Sequence, residues 1–201
     1  MRVTKITKIG REDKFAIFID DVLKLFLSGQ SILKYELSIG QEITEKEINN
    51  LNKLAAEDQI FLKALRYLSA RIRSEGEIRQ FLKRKGATLD QQKSIITRLK
   101  KIDLINDERF SEAFIHDHLL ATPSSKRKIA YELKKKQIAK EIIDSSLNNE
   151  QISDEDSLKE LIAIKRKQLK YQDDLKLMQY LVRNGFNYGD VKKALEYQNW
   201  D

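Results

Sequence analysis

The side chains able to do chemistry are few in kind. The 201 residues contain no cysteine and only two histidines, which excludes disulfides, thiol nucleophiles and cysteine-ligated metals. The imidazoles stand together in His116-Asp117-His118. On a helix, residues two apart point about 200° away from each other, so this pair does not converge on one metal ion. Zinc takes three or four convergent ligands, and the chain has no H-E-x-x-H stretch. It also lacks a G-x-x-x-x-G-K-[ST] phosphate loop and a G-x-S-x-G nucleophile elbow. No catalytic, cofactor or metal residues are expected, and the chain reads as a non-enzyme.

Positive charge is plentiful and unevenly placed. The formal net charge is +7. Residues 57–101 carry twelve basic and five acidic side chains, a net +7, and residues 121–147 carry seven and three, a net +4. Residues 1–53 come to +1 and residues 148–156 to −4. Such concentration suits a polyanion or an acidic protein surface, although a solvated lysine-rich helix face is the plainer use. Arg66 and Arg73, seven apart with Arg71 between them, share one helical face. Arg79 and Lys83 are four apart on the next helix, with Arg84 and Lys85 at its end. The second segment offers Lys128 and Lys135, surrounded by Lys126, Arg127 and Lys136; a third offers Lys165, Arg166 and Arg183. Each helical step turns about 100°, so neighbouring lysines cannot all face one ligand. Tyr67 and Tyr131 have the chemistry to stack on bases, but amphipathic packing is the expected use of both. Ser74-Glu75-Gly76-Glu77 reads as a capping box, which by itself accounts for Ser74 and Glu77.

These groups must be positioned by a small β start and a long helical remainder. Val3 to Ile9 alternates like a strand, Gly10 to Asp13 reads as a turn, and Phe15 to Ile19 is a second strand. Asp20-Asp21 is another turn, and Leu23 to Leu27 reads as a third strand. An isolated hairpin is marginal in water, so it must dock or gain a strand. Ile32 to Leu37 suggests a short helix. The period then becomes helical, with Phe61, Leu65, Leu68 and Ile72 on one buried face. Nine longer helices are predicted, at roughly 57–73, 76–85, 89–101, 107–119, 125–136, 139–147, 156–170, 174–183 and 188–196. One proline, seven glycines and no apolar run near the roughly 20 residues of a membrane span predict a mainly α, cytoplasmic protein.

Three stretches follow one template. Glu77 to Gly86 aligns with Lys128 to Gln137 and with Lys176 to Gly185, at offsets of 51 and 48 residues; Leu99, Leu147 and Leu195 end the helices that follow. Repeats of this period imply stacked helical modules that bury each other's faces. The expectation is a β-hairpin extension and linker at 1–53. Three-helix repeats then follow at 54–103, 104–150 and 151–201, forming an elongated, curved, monomeric array.

The residues of these modules also resemble a known family. Ala64-Leu65-Arg66-Tyr67-Leu68, Arg71-Ile72-Arg73-Ser74-Glu75-Gly76-Glu77-Ile78 and Lys85-Gly86 are similar to the signature of RecX regulatory proteins. So are Leu104-Ile105-Asn106-Asp107-Glu108-Arg109-Phe110-Ser111 and, in the last module, Arg183-Asn184-Gly185-Phe186. The middle module departs from the family pattern in Thr122 to Arg127 and in Lys136-Gln137-Ile138, where Gln137 takes the place of a helix-ending glycine. The resemblance implies a modulator of RecA that lies in the groove of its filament on single-stranded DNA and lowers ATP hydrolysis and strand exchange. An independent nucleic-acid-binding module, or a scaffold for another acidic protein, is the alternative that the charge pattern leaves open.

Overall fold

Two sharp reversals fold the first 27 residues into a sheet. Gly10 is left-handed (φ 64°), as are Asp20 and Asp21 (φ 48° and 63°). Two successive positive φ values match the right-handed twist of the strands they join. Strands β1 (Val3–Lys8), β2 (Phe15–Ile19) and β3 (Val22–Leu27) pair antiparallel in the order β1-β2-β3, so the third strand does form. The computed structural model describes residues 1–11, 13–150 and 153–197. Glu12 of the first turn, and 151–152 and 198–201 of the expected third repeat, lie outside the described residues.

One face of the sheet is apolar. Val3, Ile17, Ile19, Leu25 and Leu27 pack with Leu37, Ile43, Leu51 and Ala55. That cluster supplies the docking a hairpin alone lacks. The short helix α1 (Gly29–Lys34) begins three residues before its predicted start, because Ser28 caps it by accepting from the Ser31 amide. Helix α2 (Glu45–Ser69) departs most from expectation, with a first half that the apolar pattern concealed. Thr44 and Glu47 close a capping box there: the Thr44 amide and hydroxyl both donate to the Glu47 carboxylate at 2.7 Å. These bonds, the backbone one foremost, hold the Glu47 carboxyl below its ordinary range. Because α2 stops at Ser69, Ile72 falls beyond it and is 45% exposed, contrary to its predicted place on the buried stripe. The buried face is instead Leu51, Ala55, Asp58, Phe61 and Ala64.

The remaining helices lie within one to three residues of their predicted ends, save one. They are α3 (Glu75–Arg84), α4 (Leu89–Lys101), α5 (Asp107–Ala121), α6 (Lys126–Lys135), α7 (Lys140–Asn149), α8 (Asp154–Arg166), α9 (Asp174–Arg183) and α10 (Tyr188–Tyr197). Helix α8 ends four residues before its predicted stop and is followed by a short 3-10 turn, Leu169–Tyr171. Arg166 makes that break: its guanidinium donates to the Tyr171 and Gln172 carbonyls and pairs with Asp174. The described chain is thus mainly α with a small antiparallel sheet.

Two compact units share the chain. The first comprises residues 1–71 and 78–104, the second residues 72–77 and 105 onward. In the first, Ile78, Phe81 and Leu82 of α3 and Ile95, Ile96 and Leu99 of α4 are all buried, as predicted. The second holds two cores. Phe110, Ile115, Ile129, Leu133, Ile143 and Leu147 join α5, α6 and α7. Leu158, Leu161, Ile162, Leu177, Leu181, Val191 and Leu195 join α8, α9 and α10. Leu99, Leu147 and Leu195, near the ends of the helices that follow the template stretches, are buried in every case.

Candidate interaction surface

The middle helices of the template are joined by a repeated set of hydrogen bonds. Ser74 caps α3, accepting from the Glu77 amide at 3.1 Å, while its own amide donates to the Glu77 carboxylate at 3.3 Å. The capping box is therefore real, but it is not the whole role of Ser74. The hydroxyl also donates at 2.8 Å to the carbonyl of Lys136, the residue that caps the end of α6. Lys136 Nζ returns to the Glu77 carboxylate at 2.9 Å, and the Glu75 amide donates to Asp107 at 2.8 Å.

The same joint recurs one module on. Ser125 caps α6 and donates at 2.7 Å to the carbonyl of Asn184, the residue that caps the end of α9. Lys128 Nζ donates to Asn184 Oδ1 at 3.0 Å, and the Lys126 amide to Asp154 at 2.8 Å. In each joint the carbonyl end of one helix meets the amide end of another, so their dipoles attract. Orphan groups at both ends are satisfied at once. Ser74 and Ser125 are fully buried.

A residue in the left-handed region turns the chain away after each of these helices: Gly86 (φ 80°), Gln137 (φ 64°) and Gly185 (φ 92°). Gln137 does take the conformation that favours glycine. Gln137→Gly is expected to raise stability by up to about 1 kcal/mol, read as a higher denaturant midpoint at unchanged slope.

The joints divide the predicted basic residues by role. Lys136 and Lys128 are half-buried and hold the joints, Lys126 contributes its amide, and Arg166 closes the turn after α8. Lys165 lies over the Tyr180 and Tyr171 rings at 5.0 and 5.8 Å. Arg183 turns back on its own helix, to Gln179. Arg66, Arg71 and Arg79 are exposed and Arg73 is half-buried. Lys83, Arg84 and Lys85 are exposed at the end of α3, and Arg127 and Lys135 are exposed on α6.

The two tyrosines part company. Tyr67 stacks on Phe81 with ring centres 4.3 Å apart, as packing requires. Tyr131 corrects the expectation: it is 58% exposed, with Lys135 Nζ 4.4 Å from its ring centre. Arg127, Tyr131 and Lys135, spaced by four, give α6 an exposed cationic and aromatic stripe.

The imidazoles diverge as their spacing dictates. His116 is exposed, whereas His118 lies 3.1 Å from the Ser124 hydroxyl and 3.8 Å from the Glu132 carboxylate. Among the described residues no cluster of three or more His, Asp or Glu side chains could hold a metal ion. No helix there is long and apolar enough to cross a membrane.

Sequence reasoning missed a buried ion pair. Asp58, 2% exposed, receives Arg98 Nη1 at 3.2 Å and the Ser28 amide at 2.8 Å. The guanidinium also reaches Gln30 at 3.0 Å and lies 3.8 Å from the centre of the Phe61 ring. A signal was present, since Asp58 occupies an apolar position in the series Leu51, Ala55, Phe61. The partners Lys136 and Asn184 were likewise legible as equivalent template positions, but nothing in the spacing said what they touched.

Comparison with known proteins places these elements. Residues 61–99 match the family model for the first three-helix domain of RecX, and residues 106–147 match that for the second. The regulatory protein RecX of Streptococcus sanguinis is 30% identical over 202 residues, covering 96% of this chain and 76% of the relative. That of Caldanaerobacter subterraneus is 28% identical, covering 97% and 98%. A crystal structure of regulatory protein RecX superposes with a TM-score of 0.81 at 20% identity, over 97% of this chain and 98% of the other. RecX from Lactobacillus salivarius gives 0.61 at 21% identity, over 73% and 98%. With these matches spanning the sheet and all the helical modules, the chain belongs to the RecX family of regulatory proteins.

Proposed function

We propose that this protein binds RecA, or the filament RecA forms on single-stranded DNA, and lowers its ATPase and strand-exchange activity without itself being an enzyme. Membership of the RecX family over nearly the whole chain carries this reading. It implies a role in DNA recombination and repair, hence in the cytoplasm. The division into three-helix repeats at 54–103, 104–150 and 151–201 is part of the same reading. It is supported by the family matches at 61–99 and 106–147 and by the recurring joints. The best candidates for contact are the exposed cations, Lys83, Arg84 and Lys85 on α3 and Arg127 and Lys135 on α6.

The test is the ATPase rate of preformed RecA filaments, titrated with this protein at fixed salt. Inhibition is expected well below the amount that coats the DNA. A variant with the α3 cations moved to other exposed positions is expected to lose it. An unchanged rate at stoichiometric excess would refute the proposal.

The exposed α6 stripe favours a second reading, direct binding of single-stranded nucleic acid. Base stacking on an aromatic ring contributes about 1–3 kcal/mol, and cations follow the phosphates. Affinity for DNA without RecA would then fall linearly with salt on a log–log plot. No binding at low salt would remove this alternative.

A further inference from the structure

The joint between middle helices is filled twice within the chain, and its acceptor half occurs a third time with none of the described residues seated on it. Lys85 and Gly86 at the end of α3 stand where Lys136 and Gln137 end α6, and Asn184 and Gly185 end α9. At the filled ends the neighbouring helix is so close that an added Cβ on Gly185 would lie 2.5 Å from Ser125 Oγ. At Gly86 an added Cβ would meet none of the described residues within 4 Å, and Lys83 to Gly86 are all exposed. The last carbonyls of a helix carry partial negative charge and lack intrahelical donors.

We infer that the C-terminal turn of α3, Lys83 to Gly86, is a docking site for a helix N-terminus of a partner protein, one bearing a Ser or Thr cap and a Glu three residues on. The two filled joints define that chemistry. A cap hydroxyl donates to the carbonyl of the residue before the left-handed turn, as Ser74 and Ser125 do. The third residue of the incoming helix then pairs with that residue's side chain, as Glu77 does with Lys136. Lys85 keeps the ammonium of Lys136, so the matching third residue is an acid. Lys83 and Arg84 favour further negative charge in the incoming first turn.

A second copy of this chain does not fit. The corresponding N-terminus, on which neither joint falls among the described residues, is that of α9, whose cap is Asp173. Its carboxylate accepts from the Lys176 amide, which together with the Lys176 charge keeps it ionised. An ionised cap has no proton to donate and would face the Lys85 carbonyl with like charge. The α9 N-terminus of a second copy is therefore a poor match for this end of α3, which is left for a different protein. This inference does not depend on which protein that is.

The probe is a peptide of Ile72–Arg84 carrying Arg79→Glu and held helical by a lactam between that glutamate and Lys83, its helicity checked by circular dichroism, added to the isotope-labelled full chain. Amide shifts are expected at Lys85, Gly86 and Ala87. Ser74→Ala in the peptide, or Lys85→Glu in the chain, is expected to weaken binding about tenfold, as for one charge-assisted or cap hydrogen bond. Pairing Lys85→Glu with a Glu77→Lys peptide should recover most of the loss. The inference is overturned if a helical peptide shifts no resonance there at about millimolar concentration. Affinity indifferent to the cap hydroxyl, or failure of the charge exchange to rescue, overturns it equally. Because RecA is absent from this experiment, its outcome is separate from that of the ATPase titration.

Discussion

Asp58→Ala is expected to destabilise the first unit by about 3 kcal/mol, a fall in melting temperature of about 6–12 °C for a chain of this size. Two buried groups lose their partner in this one change. The Ser28 amide has Asp58 Oδ2 as its acceptor at 2.8 Å, within a residue 2% exposed. Arg98 loses the closest of its carboxylates, at 3.2 Å. The lower end of the range for a broken buried pair applies, because Arg98 is 20% exposed and keeps Glu57 at 4.0 Å and Gln30 at 3.0 Å. Replacing both partners with leucine should do far less harm than the two single losses added together, since neither charge is then left buried alone. A denaturant titration reading the α1–α2–α4 region checks both statements. A loss below about 1 kcal/mol for Asp58→Ala would show that Arg98 and water satisfy the pocket without it.

Gly76→Ala separates local preference from tertiary packing by its sign. Inside an exposed helix this substitution stabilises by about 1 kcal/mol. Here the added Cβ would lie 2.6 Å from both the Lys136 carbonyl oxygen and Gln137 Cβ. The carbonyl is the acceptor of the Ser74 hydroxyl, so the backbone cannot withdraw without opening the joint. A net loss of about 1–3 kcal/mol is expected. Hydrogen exchange should show the first turn of α3 and the last turn of α6 opening together, because they share the joint. Gly185→Ala should behave alike, adding left-handed strain to a 2.5 Å approach to Ser125 Oγ. Gly86→Ala is the control: its φ is also positive but the space is open, so it should lose only about 1 kcal/mol. Equal losses for Gly185→Ala and Gly86→Ala would mean that φ alone, not the joint, sets the effect at those two positions. No loss for Gly76→Ala, which has no positive φ, would mean that the joint yields to the added Cβ.

These comparisons mark the boundary between what residues announce and what their packing adds. Helix ends were legible wherever a cap or turn residue acts on its own neighbours, as with Ser74, Asn106 and Gly86. The start of α2 was missed although Thr44 and Glu47 signal it, because its first half buries only Leu51 and Ala55 and leaves little apolar period to read. Tyr131 was misjudged for a related reason. A tyrosine's place on a helix fixes which way it points, but not whether another element arrives to cover it, and here none of the described residues does.

The sequence by itself determined the mainly helical class, the repeat and its spacing, the absence of familiar catalytic motifs and the location of the positive charge. Each follows from composition or from interactions within about four residues along the chain. Only the tertiary structure decided which lysines hold joints and which face solvent, and that Asp58 sits paired in a core. It also decided that two serines with ordinary capping duties tie helices some 60 positions apart in the chain. Those outcomes depend on groups brought together by the burial of apolar faces, a non-directional force that leaves no local mark on the polar residues it traps.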